Sequence, residues 1–271
     1  MTEKRGTPGG QPTQDSGQRA SDLAEAALAT AAKRMRDEGF DIGDRVEVVV
    51  DPRLPIMGYT MSGEGGRFRI TVSGGAVRSG MLEGLLVHEM SHIYRMRTKH
   101  PSHNPRIIEE AMERAGNGVA TKDYQRKTLH DLVNNVEDLY ADDIAFRVIR
   151  KSGVLTPEQA SEFLQDWVED QPVESRDAAR ARWGNAWLVA NNARAIAQMA
   201  RHGVEDTGGI AAEANRRLMS HMAGTAPRYF EYVRGLLTNL KEDITPDEFR
   251  ALLLDYLSRF LEFAQPERPA E

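Results

Sequence analysis

Apolar residues recur along this chain in two rhythms, one of about four residues and one of two. Over residues 21–37, Leu23, Ala27, Ala31 and Met35 recur at four-residue spacing, with Ala24 and Leu28 beside them. That pattern predicts a helix with one apolar face, capped by Ser21 or Asp22 and stopped at Gly39. Phe40 follows the stop and is expected to pack. RVEVVV at 45–50 predicts a first strand, broken by Asp51, Pro52 and Pro55, since proline has no amide to donate. Residues 56–61 and 67–72 predict a hairpin around Ser62-Gly63-Glu64-Gly65-Gly66, and Gly74-Gly75 closes a small sheet expected to be antiparallel.

Beyond Gly80 the rhythm is helical. Helices are expected over 107–115, 124–149, 157–168, 177–200, 210–222, 228–240 and 246–263, with Thr156 and Thr245 as caps. The fold class is therefore α+β: a small antiparallel sheet, a mostly helical domain around it and further C-terminal helices. Residues 1–19, rich in Gly, Pro, Gln, Ser and Thr, read as a disordered tail. Residues 20–150 read as the main domain, 151–264 as a helical subdomain and 265–271 as a second tail.

One stretch, GMLEGLLVHEMSHIYRMR at 80–97, contains His88-Glu89-Met90-Ser91-His92 inside an almost wholly apolar helical pattern. Met81, Leu85, His88 and His92 form one strip, Leu82, Leu86, Met90 and Ile93 the next, and Val87 and Tyr94 a third side. A helix apolar nearly all round is a buried one, and polar groups buried on it need partners. Side chains four apart share a face, so His88 and His92 can offer two imidazole nitrogens to one divalent cation. Glu89 beside them can reach a water in the cation's open position. This is the arrangement of a zinc hydrolase helix, with two ligands and a general base.

The composition narrows the chemistry. The 271 residues include no cysteine, so disulfides, thiolate zinc sites and a cysteine nucleophile are excluded, and Zn²⁺ here must rest on histidine and carboxylate. The net charge of −6 argues against general nucleic-acid binding. No run approaches the roughly 18 apolar residues of a membrane span, and the N-terminal stretch lacks the apolar core of a signal peptide. A soluble, cytoplasmic protein is expected.

A catalytic zinc needs a third protein ligand. Residue 98 is Thr98, so no third histidine follows at the HExxHxxGxxH position. The carboxylates of NNVEDLYADD at 134–143 are the alternative. Glu137 falls among Val133, Tyr140, Ile144 and Val148, and a carboxylate on an apolar face demands a cation or partner. Asp138 lies on a stripe with Asn134 and Asp142 that a solvated surface would also explain. Glu137 is the preferred third ligand and Asp138 the alternative.

HExxH followed by a carboxylate on a later helix resembles the gluzincin branch of the zincin metallopeptidases. Many of these carry Glu-x-x-Ala-Asp on the second helix, where the Glu binds zinc and the Asp supports a zinc histidine. Ala141-Asp142 matches the end of that pattern, with Asp138 four residues before Asp142 and Glu137 five before. Asn134, Glu137 and Asp138 also resemble an Asn-x-x-Glu-Asp pattern of other zincin-like proteins. The resemblance spans roughly residues 45–150 and implies a zincin-like metallopeptidase domain there, with Asp142 behind a zinc histidine.

The expected function is zinc-dependent hydrolysis of peptide bonds in a peptide or protein substrate, with Glu89 as general base. The strand at 67–72 is the expected edge for an extended substrate. A zinc hydrolase of a non-peptide amide, and a non-catalytic zinc-stabilised scaffold that binds a protein partner, are the alternatives. Oligomeric state is not legible. His100 and His103 are expected as solvated loop residues and His130 at a helix surface. Tyr229, Tyr232 and His221 are of the type that stabilises an oxyanion, although core packing is the default for both tyrosines. Trp183 and Trp187 are expected in the core, and Arg176 to Arg182 on a solvated helix face.

Overall fold

A computed structural model describes residues 14–222 and 224–265. The order is α1 (Gln14–Asp37), β1 (Val46–Asp51), β2 (Gly58–Ser62), β3 (Phe68–Ser73), α2 (Gly74–Arg78), α3 (Leu82–Arg97), α4 (Pro105–Gly116), α5 (Asp123–Ser152), α6 (Pro157–Gln165), α7 (Ala178–His202), α8 (Ile210–Ser220), α9 (Ala226–Thr238) and α10 (Pro246–Ala264). This is an α+β chain in which helix predominates. It divides into two compact units, the first ending at Tyr94 and the second starting at Arg95, inside α3 rather than near residue 150. The tails expected at 1–13 and 266–271 lie outside the described residues, whereas residues 14–19 open α1.

In the first unit the sheet order is β1-β3-β2, with β2 antiparallel to β3 but β1 parallel to it. The sheet is thus mixed rather than wholly antiparallel. β3 is the most buried strand, with Ile70 and Val72 fully enclosed and Thr71 and Ser73 also buried, so it takes the centre. The hairpin places β2 on one side of it and β1 fills the other. β3 therefore has no free edge, which overturns the expectation that it would pair with an extended substrate. The free edges among the described residues belong to β1 and β2. The sheet's inner face and α1 supply the core, with Ala24, Ala31 and Met35 fully buried but Leu23 59% exposed, one position off the stripe. Arg34 of α1 pairs with Glu83 of α3. At Gly58 an added Cβ would lie 3.1 Å from the Thr71 carbonyl and 3.3 Å from the Leu85 side chain, so a side chain there would require these neighbours to give by a few tenths of an ångström. α2 replaces the expected Gly-Gly turn because the Ser73 hydroxyl caps it, accepting from the Ala76 amide at 3.0 Å.

The second unit is helical. Thr156 and Thr245 cap α6 and α10 in full capping boxes, as their spacing predicts. α5 and α7 end at Gly153 and Gly203, both with positive φ. Ala190, Ala193 and Ala197 on α7, all fully buried, let α9 approach closely. Leu132, Val133 and Val136 of α5, Val233 of α9, and Phe249, Leu253 and Phe260 of α10 complete that core. No described helix is long and apolar enough to cross a membrane.

Candidate metal centre

α3 places His88 and His92 on one strip, as its periodicity predicts. Leu86, Val87, Met90 and Ile93 are fully buried, while His88 and His92 are half-buried. The histidine Nε2 atoms face each other at 3.2 Å, with ring centroids 4.7 Å apart and planes at 82°. Two metal–nitrogen bonds of about 2.1 Å would close on that separation at about 100°, near the tetrahedral value. The donor pair therefore fits zinc.

Glu89 is 5% exposed. Thr60 of β2 donates through Oγ1 to its Oε2 at 2.7 Å and approaches its backbone carbonyl at 3.3 Å. The β2–β3 register pairs Thr60 with Ile70, which sets Thr60 on the inner face of the sheet while Tyr59 and Met61 point outward. The hydroxyl holds one of the two carboxylate oxygens. Nothing in the local pattern singles Thr60 out, because the register is a non-local property.

In the second unit the two carboxylates of α5 have different surroundings. Asp138 lies 3.4 Å from the buried Arg194 guanidinium. Arg194 also lies 3.9 Å from Asp142 and covers the Trp167 ring at 4.1 Å. Gln198 donates to Asp142 at 2.6 Å. The stripe of Asp138 and Asp142 thus faces α7 and is not a solvated surface. Among the described residues Glu137 has no comparable cation. Burial first, and then the neighbouring Asp138 charge, push its carboxyl up to about 8.

The end of α3 is fastened by residues that sequence reasoning missed. Arg95, 3% exposed, donates to the Tyr140 carbonyl at 3.0 Å and doubly to Glu242 at 2.5 and 2.7 Å. His100 is half-buried rather than solvated. Its Nδ1 meets Ser102 Oγ at 2.7 Å and its Nε2 the Glu242 carbonyl at 3.0 Å. Burial lowers its pKa, against the opposing pull of that hydrogen bond. His103 also meets Ser102 Oγ, at 2.8 Å. No signal in the chain links Arg95 to a glutamate 147 residues away.

The remaining expectations divide. His130 is at the helix surface, 3.1 Å from Asn134. Trp183 is in the core, edge-on to Phe260, and Arg176, Arg180 and Arg182 are exposed. Tyr229, Tyr232 and His221 line one pocket of the second unit that includes no residue of the motif strip.

No curated protein and no solved structure matches the chain. Residues 18–262 match a family of unknown function, DUF5781, and the chain belongs to that family.

Proposed function

We propose that this chain is a zinc-dependent peptide hydrolase of gluzincin type, with His88, His92 and a carboxylate of α5 as metal ligands. The observation that carries the reading is the facing pair of imidazole nitrogens, 3.2 Å apart, with the Glu89 carboxylate held by Thr60 on the residue between them. Of the two α5 carboxylates, Asp138 is the better candidate for the third ligand: it is already held against a cation, Arg194. Glu137, pushed up to about 8, is protonated at neutral pH in the metal-free chain, so it must lose a proton before it can bind a cation. Arg194 holds Asp138 from behind and lies 3.9 Å from Asp142 as well.

Zinc held on such ligands supplies Lewis acidity, polarising a carbonyl and bringing the pKa of a bound water towards about 7. Glu89 takes the water's proton and passes it to the leaving amine. Thr60 fixes the rotamer from which Glu89 does so. Burial of Glu89 keeps bulk water from competing for the carboxylate. The free edge of β2, which carries Thr60, offers main-chain donors and acceptors to an extended peptide, and the exposed Tyr59 and Met61 flank it with apolar surface. A peptide or an unfolded protein segment is the substrate this surface suits.

The test uses chelator-free protein against a peptide library. Glu89→Gln keeps shape and zinc but removes the base, and hydrolysis should fall about 10²- to 10⁴-fold. Undiminished hydrolysis by Glu89→Gln contradicts the mechanism, and zinc binding with no hydrolysis of any peptide by the unmodified chain contradicts the peptidase assignment.

A further inference from the structure

The second unit holds a pocket of 780 Å³ lined by α7, α9, α10 and the segment before α9, within the size range of small-molecule sites. Its floor is apolar: Ala186, Met222 and the Tyr229 ring, which stacks on Phe263 with centroids 4.6 Å apart. Tyr229 is only 7% exposed, and its hydroxyl has no hydrogen-bond partner among the described residues.

The rim is cationic although the whole chain carries −6. Three arginines and one glutamate line the pocket. Arg259 is engaged by Glu262 at 3.1 Å and Asp255 at 3.7 Å. Arg182 and Arg228 are exposed and have no acidic partner among the described residues. Arginine forks match carboxylate and phosphate oxygens in pairs. An apolar floor and two guanidinium groups without acidic partners among the described residues together define a ligand with an apolar body and one anionic head.

We propose that this pocket binds a small anionic amphiphile, its carboxylate or phosphate on Arg182 and Arg228 and its apolar body over Tyr229 and Met222. The site uses none of the residues proposed as zinc ligands or as general base and stands or falls separately from them.

Anilinonaphthalene sulfonate, an anion on an aromatic body, is the probe, with the uncharged N-phenylnaphthylamine as its partner. In fluorescence titrations of the full chain, the sulfonate should saturate a single site. The double variant Arg182→Ala, Arg228→Ala should weaken it at least about tenfold, and should leave the uncharged probe and the melting temperature unchanged. Thr225→Trp, an exposed lining residue, should exclude both probes. Octanoate and octyl phosphate should compete for the site, and the stronger competitor names the head group. No saturable binding of the sulfonate, or equal binding by the unmodified chain and the double arginine variant, would overturn the proposal.

Discussion

The Thr60 hydroxyl donates to Glu89 Oε2 at 2.7 Å, joining an inner-face position of β2 to the acidic residue of the α3 motif. A buried carboxylate that loses such a donor is left undersatisfied, and a hydrogen bond to a charged group contributes about 1.5–3 kcal/mol. Thr60→Val keeps the branched shape and removes the donor. Urea unfolding should show destabilisation in that range. Zinc content should not change, while peptide hydrolysis should drop. A variant as stable as the unmodified chain would mean that the contact contributes nothing.

A second prediction concerns acid stability. Burial raises the Asp143 carboxyl, but hydrogen bonds from His202 and Arg201, and the Arg201 charge, outweigh it and leave the group below its usual range. Arg201 grips it at 2.6 Å through two nitrogens. A carboxyl lowered in the folded state contributes stability that is present above its unfolded pKa of about 3.9 and lost as pH falls through the folded value. Asp143→Asn should cost about 2–4 kcal/mol at neutral pH, and the difference from the unmodified chain should shrink below about pH 4. A gap between the two melting curves that stays constant down to pH 2 would show that the ion pair is not its source.

Where pattern and periodicity act locally, the fold could be read from the chain. The caps at Thr156 and Thr245, the apolar flanks of α3 and the shared face of His88 and His92 are of this kind. Strand order was not, because pairing is decided by which strand loses most water contact, and β3 wins the centre through residues whose alternation alone suggests an exposed arm. The Asp138–Asp142 stripe looks solvated on a helical wheel, but Arg194 and Gln198, 56 residues downstream, turn it inward. His100 looks like a loop residue until the Glu242 carbonyl is placed beside it.

The third ligand is open to a direct ranking. Asp138→Asn and Glu137→Gln keep side-chain size and remove one negative charge each. Competition titration with a chromogenic chelator should show zinc affinity falling by more than about 100-fold for Asp138→Asn, since loss of mere supporting residues already costs about 10- to 100-fold. Glu137→Gln should change it less. The reverse order would assign the ligand to Glu137.

The most direct measurement of the central claim is the zinc content of the full chain purified without chelator, read by mass spectrometry of the metal, beside His88→Ala and His92→Ala. The facing imidazoles predict close to one zinc per chain in the unmodified protein and little in either variant, with all three proteins folded by circular dichroism. An unmodified chain that takes up no zinc even when zinc is supplied, or variants that bind it fully, would contradict the account.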